Sequence, residues 1–288
     1  MSASNQFDGA SSTLSIENHD RDAAGYRYVY PVISRRAGGV SIGINLNINN
    51  ACNWACVYCQ VPSLSRGGPP PVDLGRLRQE LEQMLFDVLK GDFLTRRVPE
   101  TMRQLSDVAI SGNGEPTSSD QFPEVVSIVG ETLRKFDLCG KTPLRLITNG
   151  SLMNRKSVQS AVAELGRIGG EVWFKLDRAT EQGLRMVNQT EIKIAQIEAN
   201  LQKAAIAPLW IQACWFAIDG QPPSEFEAQA LIDIVARNRQ LIKGVHLYGI
   251  ARPSMQSEAG RLQRLTLDEL NRFANRLKEI GVTATVSE

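Results

Sequence analysis

Cys52, Cys56 and Cys59 fall within eight consecutive residues, Cys52-Asn53-Trp54-Ala55-Cys56-Val57-Tyr58-Cys59, and Cys139 and Cys214 complete the chain's five cysteines. Thiolates set this close together suit a metal or an iron–sulfur cluster. A [4Fe–4S] cube has four irons, and this loop offers three ligands, which leaves one iron open to bind something reactive. Zinc is the other reading, but zinc sites commonly complete a tetrahedron with a second, separated ligand pair. The sequence holds no such pair, and the two histidines, His19 and His246, lie far from the loop. An odd cysteine count with three crowded together is not the pattern of a disulfide framework.

The second chemistry-bearing stretch is Gly112-Asn113-Gly114-Glu115-Pro116-Thr117. Its two glycines allow a backbone to approach a ligand closely, and Glu115 offers a carboxylate to an ammonium group. Taken alone, Asn113-Gly114 is an ordinary turn signal. A dinucleotide fingerprint is excluded, because no third glycine follows at the required spacing.

Both stretches follow strand-like segments. Strands are expected at 40–48, 105–111, 144–148, 171–176, 209–218 and 244–250, with a short one at 282–286. Helical apolar spacing separates them. One helix starts at the N-cap Asp73, and another follows Pro123. Further helices are expected over 155–167 and 190–205. Ser224 with Glu227, and Thr266 with Glu269, have the spacing of capping boxes opening two more; the first would turn Phe226, Ala230, Ile234 and Val235 inward. Such alternation implies parallel strands with crossover helices. Six units exceed one doubly wound half and fall short of a closed eight-fold barrel. The expectation is an α/β fold, an open, partial (β/α)6 TIM-type barrel with outer helices. Loops after the strand C-termini then carry the site, which is where both stretches fall.

The chain's 288 residues suffice for a substantial core, with 42% hydrophobic and 22% charged residues. A net charge of +1 gives no ground for general capture of nucleic acid or a membrane. Arg35 and Arg36, and Arg96, Arg97 and Arg103, read as solvated surface. Residues 1–24 are expected to be a flexible tail without a secretory signal, and 25–288 a single domain, in a cytoplasmic protein. No apolar run reaches the length of a membrane span. Arg66-Gly67-Gly68-Pro69-Pro70-Pro71 forms a stiff loop placed to act as a lid beside the cysteines.

The C-x3-C-x2-C spacing, with Tyr58 before the last cysteine, resembles the signature of the radical S-adenosylmethionine (SAM) superfamily. Gly112 to Pro116 resembles that superfamily's Gly-Gly-Glu-Pro motif, with Asn113 standing between the glycines. The resemblance implies that Cys52, Cys56 and Cys59 ligate a [4Fe–4S] cluster whose open iron chelates the amino and carboxylate groups of SAM. Reductive cleavage then yields methionine and a 5′-deoxyadenosyl radical, which takes hydrogen from a substrate. Gly112, Asn113, Gly114, Glu115 and Pro116 would hold the methionine end, and Tyr58 would meet adenine through its backbone. The resemblance further suggests cofactor contacts at Thr148 and Asn149, Lys175 and Asp177, Gln212, and Leu247, Gly249 and Ile250 on the sixth strand. Each of these is otherwise a barrel-lining residue.

Tyr30 to Arg36, Ser41 to Asn45, Gln60 and Arg252-Pro253 extend the likeness to the group of the wyosine (tricyclic-base) tRNA synthases, over about residues 26–260. The wyosine enzyme carries extra N-terminal cysteines for a second cluster; here no cysteine precedes Cys52. The resemblance therefore implies one cluster, a tRNA base or small metabolite as substrate, and a flavodoxin or ferredoxin as reductant. It also suggests Lys175 as a Schiff-base amine and Cys214 as a radical-relaying thiol. A free cysteine in a strand is more often an apolar filler, and Asp177 beside Lys175 favours the charged amine. The rival class is a non-catalytic iron–sulfur protein for electron transfer or sensing, which has no use for a methionine-binding loop.

Overall fold

Eight strands line up in chain order in one sheet of the computed structural model, which describes residues 13–15, 24–34 and 38–287. They are β1 (Val29–Ser34), β2 (Gly39–Ile44), β3 (Leu105–Ile110), β4 (Leu144–Thr148), β5 (Gly170–Lys175), β6 (Leu209–Cys214), β7 (Gly244–Tyr248) and β8 (Ala284–Ser287). β1 and β2 pair antiparallel, and every later neighbour is parallel. The crossovers are α1 (Leu74–Leu89), α2 (Phe122–Lys135), α3 (Lys156–Arg167), α4 (Ile194–Ala204), α5 (Glu225–Arg237) and α6 (Leu267–Glu279). The result is the expected open, partial barrel of six strand–helix units, closed off by β8.

Strand alternation divides the side chains between two faces. Val108 and Ile110, Leu144 and Leu146, Val172 and Phe174, Ile211 and Ala213, and Val245 and Leu247 pack into the main core with the helices. The intervening residues face the lumen. Low in the barrel they form a polar floor. Arg145 pairs with Asp107 and, at 3.3 Å, with Glu171. Glu171 also accepts from the indole N–H of Trp173 at 3.0 Å and of Trp210 at 3.2 Å. His246 stacks on Trp210 with ring centroids 4.3 Å apart.

Several expectations are corrected. β1 was not foreseen; Pro31 cannot donate to a ladder and suits the edge position that β1 takes. The strand expected over 40–48 stops at Ile44, where the side chain of Asn45 turns the backbone by accepting from Asn47 N–H at 3.1 Å. The strand expected over 209–218 is two: Phe216–Ile218 leaves the main sheet to pair with Leu262–Arg264. The helix expected from 190 begins at Ile194 and is preceded by a π-helical turn, Leu184–Asn188. Most of the expected tail lies outside the described residues. Leu14, within it, is buried, and its N–H donates to Arg97 O at 2.8 Å.

Caps follow the sequence in two of three places. Asp73 caps α1, accepting from Arg76 N–H at 2.9 Å, and Thr266 with Glu269 forms a reciprocal capping box on α6. Ser224 accepts from Glu227 N–H at 3.3 Å, but the Glu227 carboxylate turns toward the buried Arg178, 3.8 Å away. Phe226 is not inward: it is 75% exposed, and the buried face of α5 is Ala228, Leu231, Ile232, Ile234 and Val235. The stripe at i, i+3, i+4 and i+7 starts at Ala228 and leaves Phe226 on the outer side. Leu231→Ala is therefore expected to cost about 2–5 kcal/mol in urea unfolding, and Phe226→Ala less than about 0.5 kcal/mol.

Candidate functional site

The cysteine loop leaves the C-terminal end of β2, and the glycine–glutamate loop leaves that of β3 beside it. Asparagines join them. Asn45 Oδ1 accepts from Asn113 N–H at 3.0 Å, Asn50 Oδ1 from Asn113 Nδ2 at 2.5 Å, and Ala51 O from Asn47 Nδ2 at 2.8 Å. A Cβ at Gly112 would lie 2.2 Å from Asn45 Oδ1, and one at Gly114 2.2 Å from Ala51 O. Packing of one loop on the other thus demands both glycines. The segment after β7 braces the far side of the cysteine loop. Ser254 Oγ donates to Val57 O at 2.7 Å, Met255 N–H to Cys59 O at 2.9 Å, and Gln256 Nε2 to Val61 O at 2.9 Å.

All three cysteines of the loop are free and half-buried. Cys56 Sγ accepts from Asn188 Nδ2 at 3.2 Å, and Cys52 Sγ from Trp54 N–H at 3.5 Å. Burial pushes the Cys52 thiol up to about 11 and the Cys56 thiol up to about 12. A bound metal cation reverses that preference and takes the thiolate. Among the described residues no three His, Cys, Asp or Glu side chains are grouped as ligands of one metal ion. A cube takes each thiolate on a separate iron and needs no such convergence. Three free thiols on one braced loop, two of them already receiving N–H donors, fit that role.

Glu115 is 2% exposed, and the protein itself occupies its carboxylate. Oε1 accepts from Thr117 N–H at 3.1 Å, Thr117 Oγ1 at 2.6 Å and Thr148 Oγ1 at 2.6 Å; Oε2 accepts from Asn149 N–H at 2.6 Å. Burial raises its pKa, against the pull of these donors. The carboxylate ties the end of β3 to the end of β4. Pro116 is buried in the short 3-10 turn that follows. Thr148 is buried in the same joint, and Asn149 Nδ2 reaches Asn53 Oδ1 in the cysteine loop at 2.8 Å.

Above the polar floor, Lys175 Nζ donates to Tyr248 Oη at 2.9 Å and sits 5.0 Å over the Tyr58 ring. Asp177 is fully buried. Its Oδ2 accepts from Tyr58 Oη at 2.5 Å and Asn188 Nδ2 at 2.7 Å, its Oδ1 from Cys214 N–H at 2.8 Å. Burial alone would lower the Lys175 pKa, but facing Tyr248, Asp177 and Cys56 it stands well above the usual lysine value. Burial also raises the Tyr248 phenol, against the pull of the nearby Lys175 amine. A Schiff-base amine needs the opposite shift. Cys214 packs with Val57, Val187, Phe216 and Ile250, and burial raises its thiol. The Tyr58 ring packs 5.5 Å from that of Phe216, so its side chain belongs to the lumen.

Gln212 faces the lumen with no hydrogen-bond partner for Oε1 among the described residues. Gly249 donates its N–H to Ser287 O at 3.0 Å, and Ile250 lines the lumen cluster. Leu247 departs from expectation: its side chain is packed in the sheet–helix core, and strand alternation gives the lumen to Tyr248. Asn45, Asn47 and Asn188 were not foreseen as site residues. Asn45 and Asn47, polar residues closing an apolar strand, left a local signal; Asn188 left none.

No protein-family model matches the chain. It is 30% identical over 165 residues to a UPF0026 protein of Methanocaldococcus jannaschii, covering 55% of this chain and 43% of that protein. The chain thus spans less than half the length of that relative. Among solved structures, it superposes with a TM-score of 0.59 on a radical SAM methyltransferase from Sphaerobacter thermophilus, at 16% identity, covering 90% of this chain and 68% of the other. TYW1 with a lysine–pyruvate adduct bound gives a TM-score of 0.55 at 16% identity, covering 83% and 73%. The fold is that of the radical SAM enzymes. If Glu115 is the joint between β3 and β4, Glu115→Gln sets an NH2 group against a donor and costs about 1–3 kcal/mol. Urea unfolding of the cofactor-free protein measures it; unchanged stability would refute the joint.

Proposed function

We propose that the chain is a radical SAM enzyme with a single [4Fe–4S] cluster on Cys52, Cys56 and Cys59. The observation that carries this is the stapled pair of loops at the C-terminal ends of β2 and β3, with Asn113 N–H bonded to Asn45 Oδ1, on a fold shared with radical SAM enzymes. When bound, such a cluster supplies one-electron reductive cleavage of SAM, giving methionine and a 5′-deoxyadenosyl radical that abstracts hydrogen from the substrate. The protein's part is positioning and exclusion of water. With Glu115 committed to the β3–β4 joint, backbone groups of Gly112 to Glu115 are the ones left to meet the methionine ammonium and carboxylate. Lys175, Asp177, Tyr58 and Tyr248 keep the lumen above the floor polar, Gln212 has a free acceptor there, and Thr148 and Asn149 hold the rim.

The substrate class is a tRNA base or a small metabolite, with a flavodoxin or ferredoxin as electron donor, in the cytoplasm. The fold likeness to TYW1 and the sequence likeness to the wyosine group favour the first. Lys175 acts in this reading as a fixed cation rather than a Schiff-base amine. No helix among the described residues is long and apolar enough to cross a membrane.

Anaerobic reconstitution decides between this reading and a non-catalytic iron–sulfur protein. The reduced cluster's spectrum is expected to shift on adding SAM, with 5′-deoxyadenosine formed. A fully loaded protein with neither shift nor cleavage sinks the proposal. Cys56→Ala is expected to abolish both cluster and cleavage. Stimulated 5′-deoxyadenosine formation with unmodified RNA, or with a small-metabolite fraction, assigns the substrate class.

A further inference from the structure

Asn188 lies 132 residues from Cys56 in sequence, yet its side-chain nitrogen donates to Cys56 Sγ at 3.2 Å. The same nitrogen donates its other hydrogen to Asp177 Oδ2 at 2.7 Å. A primary amide has two N–H donors, and both are spent on these acceptors. Asn188 Oδ1, by contrast, has no hydrogen-bond partner among the described residues, although the residue is 0% exposed. The amide orientation is decided by chemistry: turned over, Oδ1 would face the Asp177 carboxylate. Asp177 is itself held by Tyr58 Oη and Cys214 N–H, so the amide is anchored from behind.

The backbone fixes the amide from the other side. Asn188 ends the π-helical turn Leu184–Asn188, and π turns recur at functional sites. That turn docks on the cysteine loop through Val57 N–H to Val187 O at 2.9 Å and Ala55 N–H to Asn188 O at 3.3 Å. The next residue, Gln189, is left-handed with φ 49°, and its carbonyl accepts from Arg66. A donor with a buried, unpartnered oxygen is held at a fixed distance from one particular sulfur.

Hydrogen bonds to cluster sulfurs withdraw electron density and favour the reduced state. Resting on the single-cluster reading above, we propose that Asn188 is a positioning residue that raises the reduction potential of the cluster through its bond to the Cys56 sulfur. The amide also links that sulfur to Asp177, and through Asp177 to Tyr58 in the lumen.

The test is Asn188→Leu, which keeps the branched heavy-atom outline and removes the donor. In reconstituted protein with full iron content, the midpoint is expected to fall by about 59 mV, a tenfold shift in a one-electron equilibrium. An exchangeable-proton coupling of the reduced cluster, seen by electron–nuclear double resonance after exchange into D2O, should disappear with it. Full iron content with unchanged midpoint and coupling overturns the proposal. Should Asn188→Leu load no iron, Asn188→Ala is read the same way. If both variants fold and neither loads iron, Asn188 builds the loop rather than tuning the cluster, and the proposal fails. A wild-type protein that takes up no four-iron cluster fails the reading of the site itself, a separate outcome.

Discussion

Glu115 is the joint on which the site depends. A carboxylate at 2% exposure is costly unless its oxygens are satisfied, and here four donors from Thr117, Thr148 and Asn149 meet it. Those donors come from two different strand ends, so satisfying one side chain fixes β3 against β4. The same loop is pinned to the cysteine loop through Asn113 and Asn45. Three consecutive parallel strands thereby present one continuous rim.

A second buried carboxylate, Asp177, organises the opposite part of the mouth. It gathers Tyr58, Asn188 and Cys214 N–H, and its charge stabilises Lys175 in the lumen. The two acids divide the work: Glu115 holds the rim, Asp177 connects rim to lumen. Each acid is satisfied by donors from separate segments of the chain, Glu115 by Thr117, Thr148 and Asn149 and Asp177 by Tyr58, Asn188 and Cys214 N–H.

The six strand–helix units were legible because crossover packing imposes a period of two on buried strands and 3.6 on covering helices. The two loops were legible for the same reason in reverse, since each breaks the pattern just after a strand. Phe226 and Leu247 were misplaced because parity and helix phase are set by where an element starts, and Trp215 divides an apolar run that looks continuous in sequence. β1 was missed because Tyr26 to Ser34 has no helix after it to mark it as a unit.

By itself the sequence determined the thiol spacing, the order of strands and helices, and the positions of both loops, since these are local patterns of residue type. Tertiary structure alone decided what each polar side chain does. Gly112 and Gly114 are glycines because Asn45 and Ala51 stand where a Cβ would be. Glu115 is a strand joint because Thr148 and Asn149 arrive beside it, and Asn188 donates to the Cys56 sulfur because a π turn carries it across the barrel mouth. Such roles depend on partners distant in the chain, and only the closed packing of the sheet brings those partners within hydrogen-bonding distance.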